Sequence, residues 1–161
     1  MKLNEYQAED IFAWRNILIE KGAHKDQIDW LLELGGGLSG SDLQKLYLDQ
    51  NTSIHLDRSL EELEEIWSLH VDKKRPLQHS IGKVYWRDFQ LQVSSDALIP
   101  RQETELLVDF ALEKFDIDSK GIWADLGTGS APIAVALARS FHSWEGHAVD
   151  LSKKALSLAE R

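Results

Sequence analysis

One stretch of the chain contains, in order, an apolar run, a glycine turn, a helical pattern, a second apolar run and an acidic residue. Ile122 to Leu126 predicts a strand, residues 131–140 predict a helix, and His147 to Leu151 predicts a second strand. The acidic residue, Asp150, lies 23 residues after Gly127. Two strands joined by a helix become parallel neighbours in a sheet, so this order places the chain in the α/β class.

The glycine turn has the composition of a binding site for a nucleoside-bearing cofactor. Gly127 and Gly129 let the backbone turn sharply and approach a ligand closely. Ser130 is predicted to cap the following helix, with Pro132 in its first turn and the amide groups of the helix start pointing toward the ligand. Asp150 at the end of the next strand is predicted to accept hydrogen bonds from ribose hydroxyls. The alternative is a tight strand-to-helix turn that binds nothing.

The charge next to the turn favours a cationic cofactor over a dinucleotide. The third glycine of the pyrophosphate-binding pattern is missing, and Asp125 stands where it would repel a pyrophosphate. A carboxylate there would attract a sulfonium or an α-ammonium group. S-adenosylmethionine carries both groups and no phosphate, so it fits this turn better than a nicotinamide dinucleotide does.

The first 74 residues predict a small all-helical bundle. Apolar residues recur at helical spacing in residues 7–21 and 25–34, and again after Ser41. Ser59 and Glu62 form a capping-box pattern at the start of a further helix. Gly22 and the glycines at 35–37 are predicted helix ends.

The rest of the chain divides into a linker region and part of a second domain. Pro76 keeps the residue before it out of a helix, and residues 81–95 alternate in two short runs that predict a hairpin. We therefore expect a linker and hairpin over 75–97 and an incomplete domain over 98–161. A helix is predicted from about Gln102 to Phe115, with Leu106, Leu107, Phe110, Ala111 and Phe115 on one face.

Composition narrows the classes of function. The formal net charge is −9, which is unsuited to a phosphate backbone. The chain has no cysteine, and its histidines are scattered, so we expect no metal site. No apolar run reaches the roughly 20 residues that a membrane span needs. The N-terminus has no targeting pattern, so we expect a cytoplasmic protein without a membrane partner.

Four segments of the chain resemble the protein-(glutamine-N5) methyltransferases that modify peptide-chain release factors, the HemK or PrmC family. The segment Arg75–Gly82 is similar to the family's linker, and Leu98–Glu105 is similar to its second signature. Asp125–Ala131 is similar to its cofactor turn, and Ala148–Asp150 to the end of its ribose-binding strand. The second signature is more specific than the turn, which many methyltransferases share.

The resemblance implies a Rossmann-like methyltransferase domain, here its first part, behind a helical domain over 1–74 that recognises the release factor. We also expect a monomer, and the net charge argues against direct binding of nucleic acid. The resemblance also implies S-adenosylmethionine bound by Gly127, Thr128, Gly129, Ser130, Ala131 and Asp150, with Pro100, Arg101, Glu103 and Thr104 helping to close the site.

Two positions depart from the family's pattern. Gln102 stands where the family usually has proline, and this changes little if the helix start is kept. Ala131 stands where the family usually has glycine. Its extra methyl group is tolerable if φ is negative and damaging if φ is positive.

The family's Asn-Pro-Pro-Tyr motif, which positions the substrate amide, is absent from these 161 residues. We therefore expect no catalytic residue within this chain, and expect it to be an inactive N-terminal part of a longer methyltransferase. Two alternatives stay open: a nucleic-acid amino-methyltransferase, and a non-catalytic protein-interaction module if the protein ends at Arg161.

Overall fold

The computed structural model describes residues 4–161, which form two compact units. The first unit ends at Ile81 and the second begins at Gly82. Both helices and strands occur in each, so the mixed α/β class is confirmed. Within the described residues, no helix combines the length and the apolar character needed to cross a membrane.

The first unit consists of five helices and two short strands around one apolar core. Its interior is filled mainly by leucine and isoleucine, with Leu31, Leu46 and Leu63 fully buried. The predicted helices are confirmed to within one or two residues. In chain order the elements are β1 (Asn4–Gln7), α1 (Ala8–Glu20), α2 (Lys25–Leu34), α3 (Gly40–Leu48), β2 (Ser53–Leu56), α4 (Leu60–Lys73) and α5 (Leu77–Ile81).

The prediction that this region is all helical is wrong, because β1 and β2 pair as an antiparallel sheet. The register joins Asn4 to Leu56 and Gln7 to Ser53. Ile54 and Leu56 are buried while the residues beside them are exposed, which is the period-two pattern of a strand. With only two apolar residues in four, this alternation is too short to stand out from a loop in the sequence.

The start of α4 follows the predicted chemistry. Ser59 accepts a hydrogen bond from the N–H of Glu62 (3.2 Å), and the Glu62 carboxylate accepts one from the N–H of Ser59 (2.8 Å), which confirms the capping box. Lys74 ends the helix in the left-handed conformation, with φ 52°. The chain after Pro76 was expected to be a linker, but it forms the short helix α5.

The second unit contains an antiparallel hairpin, a pair of parallel strands and three helices. Val84 and Trp86 of the hairpin share a core with Val108, Leu137 and Phe141. The hairpin and the first strand of the parallel pair are confirmed. The elements are β3 (Lys83–Trp86), β4 (Phe89–Gln92), a 3-10 turn (Gln102–Thr104), α6 (Glu105–Lys114), β5 (Ile122–Leu126), α7 (Pro132–Ser140), β6 (Glu145–Val149) and α8 (Lys153–Ala159).

The end of β6 and the buried face of α6 differ from expectation. The strand β6 ends at Val149, two residues earlier than predicted, because it pairs with β5 only up to Leu126. The buried residue of α6 is Val108, whereas Leu106, Leu107 and Phe110 are 55%, 57% and 62% exposed. Only one side of α6 is covered in this unit, so the predicted face lies largely in solvent.

Candidate functional site

The glycine turn follows β5 and Asp150 follows β6, and both lie at the same end of the parallel strand pair. Leu126, the last residue of β5, pairs with Val149, the last residue of β6. The N–H groups of Gly127 and Thr128 both donate to the carbonyl of Val149, at 2.8 and 2.9 Å. The turn is therefore anchored to the end of β6, directly beside Asp150.

Asp150 is held in place by two backbone N–H groups. Its Oδ1 accepts a hydrogen bond from Ser152 (2.8 Å), and its Oδ2 accepts one from Gly129 (2.9 Å). These bonds, with that from Ser152 the larger cause, lower the pKa of Asp150 below its ordinary value. The side chain is thus a carboxylate at neutral pH. Each oxygen keeps acceptor capacity for a further donor, as recognition of ribose hydroxyls requires.

A second carboxylate, Asp125, lies at the end of β5. Its Oδ2 accepts a hydrogen bond of 2.7 Å from the hydroxyl of Thr128, a residue that is only 4% exposed. Asp125 and Asp150 therefore stand at the ends of neighbouring strands, and both are linked to the glycine turn. Two negative groups at one edge of a sheet favour a cationic ligand there.

The amide groups of the turn are engaged within the protein. Gly127 and Thr128 donate to Val149, Gly129 donates to Asp150, and Ala131 donates to the carbonyl of Thr128 at 2.8 Å. All four of these residues precede α7, so the expectation that the amides at the start of that helix point toward a ligand stays a prediction. These four amides are therefore not free to donate to a pyrophosphate.

The two glycines adopt conformations that other residues avoid. Gly127 has φ +83° and Gly129 has φ +59°. A Cβ at Gly127 would meet no atom within 4 Å, and one at Gly129 would meet only the Cβ of Ala97, at 3.9 Å. The glycines are therefore required by the backbone, and the space beside the turn is open.

Ala131, rather than Ser130, is the residue that precedes α7. It has φ 62° and ψ 33°, which lie in the left-handed region. Of the two cases expected for Ala131, the positive φ that makes its methyl group unfavourable is therefore the one found. The prediction that Ser130 caps the helix is wrong. Its hydroxyl is buried without a hydrogen-bond partner among residues 4–161. The cap position falls at Ala131, whose side chain has no hydrogen-bond acceptor.

The second signature is fixed mainly by the hairpin. The indole N–H of Trp86 donates to the carbonyl of Arg101 (2.9 Å), and the N–H of Arg87 donates to the Glu105 carboxylate (3.0 Å). The guanidinium of Arg87 also binds Asp109, at 2.7 Å. Sequence reasoning missed these positioning residues, because a Trp-Arg pair at a hairpin turn carries no signal of a distant partner.

The structure brings only part of the predicted site together. Ala97 lies beside Gly129, so the chain enters the second signature next to the turn. In residues 4–161 no hydrogen bond joins the glycine turn to the four signature residues predicted to close the site. These are Pro100, Arg101, Glu103 and Thr104. Gln102 begins the 3-10 turn, so the helix start is kept at this departure.

No protein-family model matches the chain. Curated relatives match nearly all of it. The release factor glutamine methyltransferase of Prochlorococcus marinus is 54% identical over 96% of this chain and 54% of its own length. That of Synechocystis is 36% identical over 94% of the chain and 53% of its own length. The protein of that name from Bacillus subtilis is 36% identical over 81% of the chain and 49% of its own length. The chain spans about half the length of the curated relatives that it matches.

Proposed function

Because the chain is homologous to release factor glutamine methyltransferases over 96% of its length, we propose that it is part of such an enzyme. The proposed reaction transfers a methyl group from S-adenosylmethionine to the side-chain nitrogen of the glutamine in the Gly-Gly-Gln motif of a peptide-chain release factor. The observation that carries the proposal is the 54% identity to the Prochlorococcus marinus enzyme over 96% of this chain.

The site chemistry supports S-adenosylmethionine as the cofactor. Asp125 and Asp150 supply negative charge, and the N–H groups of Gly127, Thr128 and Gly129 are bound within the protein and are not free for a pyrophosphate. When bound, the cofactor supplies an electrophilic methyl group. We propose that it is held by Gly127, Thr128, Gly129, Ser130, Ala131 and Asp150, and that Pro100, Arg101, Glu103 and Thr104 help to close the site.

The parallel pair β5 and β6 is proposed to be the start of a Rossmann-like sheet over residues 98–161. In support, Ile122 and Leu126 are 69% and 78% exposed, although strands of parallel sheets are normally covered on both faces. Further strands and helices of such a domain would cover these side chains. Of the region over 75–97, α5 belongs to the first unit and the hairpin to the second, so the two proposed domains are joined at Ile81 and Gly82.

The helical region over 1–74 is proposed to recognise the release factor. Residues 1–75 carry 9 basic and 15 acidic side chains. This excess of negative charge suits a partner with a basic surface. Charge complementarity of this kind raises the rate of encounter and restricts the choice of partner more than it raises affinity. Direct binding of nucleic acid does not fit this balance.

The experiment that tests the function uses the protein that contains this chain together with its complete C-terminal region. It is incubated with S-adenosylmethionine and release factor, and the Gly-Gly-Gln peptide is examined by mass spectrometry for one added methyl group. Release factor with that glutamine replaced by alanine is the substrate control, and the Asp150→Ala enzyme is the enzyme control. Absence of methylation on wild-type release factor contradicts the proposal, and methyl transfer to DNA or RNA instead favours the nucleic-acid alternative.

A further inference from the structure

Thr128 is the most fully engaged residue of the glycine turn. Its N–H donates to the carbonyl of Val149 (2.9 Å), and its carbonyl accepts from the N–H of Ala131 (2.8 Å). Its hydroxyl donates to Oδ2 of Asp125 (2.7 Å). The two backbone bonds hold the turn whatever side chain stands here, so the hydroxyl has a separate role, which is directed at Asp125.

Asp125 depends on this hydroxyl for its orientation. Among residues 4–161, the Thr128 hydroxyl is the hydrogen-bond donor found for this carboxylate. With one oxygen engaged, the side chain is restricted in rotation and the other oxygen is left available for a ligand. Thr128 is 4% exposed, so its hydroxyl is directed into the protein, at Asp125, and not at solvent.

We propose that Thr128 is a positioning residue that directs the Asp125 carboxylate toward the cationic end of S-adenosylmethionine. This proposal rests on the proposed cofactor. It assigns to Thr128 the selectivity of the turn for a positively charged adenosine compound over a neutral one. Attraction between opposite charges depends on their separation, and moving a carboxylate from about 4 to about 6 Å from a cation changes affinity roughly tenfold near a protein surface.

The test compares S-adenosylmethionine with 5′-methylthioadenosine, which keeps the adenosine but carries no charge. Binding of each is measured by calorimetry on the same protein as in the methylation assay. Thr128→Val removes the hydroxyl and keeps the shape. We expect it to weaken S-adenosylmethionine about tenfold and to change 5′-methylthioadenosine less than about twofold. Thr128→Ser keeps the hydroxyl, and we expect it to retain the wild-type ratio of the two affinities.

A double-mutant cycle with Asp125→Asn separates positioning from packing. Asparagine still accepts the Thr128 hydrogen bond but carries no charge. We expect Asp125→Asn alone to weaken S-adenosylmethionine and leave 5′-methylthioadenosine unchanged. Adding Thr128→Val to it is then expected to have no further effect on either ligand.

The outcomes distinguish this proposal from the proposed function. If Thr128→Val weakens both ligands equally, its role is to stabilise the turn, and the positioning proposal is overturned while the cofactor assignment stands. If Thr128→Val and Asp125→Asn weaken S-adenosylmethionine additively, the two residues act independently, and the proposal is also overturned. If the wild-type protein binds neither ligand, both this proposal and the cofactor assignment are overturned.

Discussion

The N–H of Gly129 donates a hydrogen bond of 2.9 Å to the carboxylate of Asp150, which lies 21 residues later in the chain. The bond joins the turn after β5 to the first residue after β6. Two motifs that are separate in sequence therefore form one unit at the edge of the sheet. Because the carboxylate is already held by backbone donors, it needs no rearrangement to accept hydrogen bonds from a nucleoside.

Cofactor affinity is expected to be independent of the ionisation of Asp150 across neutral and mildly acidic pH. The hydrogen bonds from Ser152 and Gly129 lower the pKa of Asp150, so the carboxylate form persists below the ordinary aspartate value of about 4. Its contribution to affinity is present above that value and is lost as pH falls through the lowered pKa. Titration of S-adenosylmethionine affinity against pH checks this, with Asp150→Asn as the control that lacks the acidic step. Loss of the Asp150-dependent part of the affinity between about pH 6 and 5 would contradict the lowered pKa.

Ala131→Gly is expected to stabilise the second unit by about 0.5–1 kcal/mol. The left-handed conformation of Ala131, with φ 62°, costs an L-residue about 1–2 kcal/mol. Glycine removes that cost, and its greater freedom in the unfolded chain offsets part of the gain. Urea-induced unfolding followed by tryptophan fluorescence measures the difference.

Ala134→Gly is the matched control for this change. Ala131 and Ala134 are each 6% exposed, but Ala134 lies inside α7. Glycine in a helix interior destabilises by about 1 kcal/mol. The two substitutions should therefore have opposite signs, and a destabilising Ala131→Gly would mean that the alanine is not strained.

Local structure could be predicted from the sequence where it is determined by residues close together in the chain. The strand Ile122–Leu126 and the Ser59 capping box are set by neighbouring side chains, and both match the sequence. The end of β6 at Val149 was missed because it depends on the pairing of β6 with β5, and on the hydrogen bond from the Gly129 N–H to the Asp150 carboxylate just beyond it, which are both long-range contacts.

The conformation of the turn also lay outside what sequence alone could provide. Ser130 has the residue type of a helix cap, yet the cap position falls one residue later, at Ala131. A positive φ at an alanine follows from the contacts of the whole turn, since alanine itself disfavours it. The contacts of Trp86 and Arg87 with the second signature likewise depend on tertiary packing.

Asp29→Asn is expected to destabilise the first unit by about 2–4 kcal/mol. Asp29 binds the guanidinium of Arg15 at 2.8 Å and accepts a hydrogen bond from the hydroxyl of Tyr47. Arg15 is only 6% exposed, so removing its partner leaves a buried charge uncompensated. Burial, followed by the bond to Asp29, raises the pKa of Tyr47 to about 12, so the tyrosine remains a neutral donor at physiological pH.

Asp26→Asn provides the comparison for Asp29→Asn. The Asp26 side chain is 70% exposed and lies 3.4 Å from the imidazole of His24. An exposed pair of this kind contributes less than about 1 kcal/mol, so this variant should unfold close to wild type in urea. Equal effects of the two substitutions would mean that the Arg15–Asp29 pair is not desolvated.

The β5–β6 pair of the 161-residue chain is expected to exchange its amide hydrogens faster than the helices of the first unit. Every residue of β6 is exposed, and Leu126 and Leu151 are 78% and 104% exposed. Strands with few buried contacts open with low free energy, and their uncovered edges promote association. Hydrogen exchange with mass spectrometry compares the two units directly, and Leu126→Lys is expected to reduce concentration-dependent light scattering. Protection of β5 and β6 equal to that of α1 and α4, with one sharp unfolding transition, would contradict the prediction.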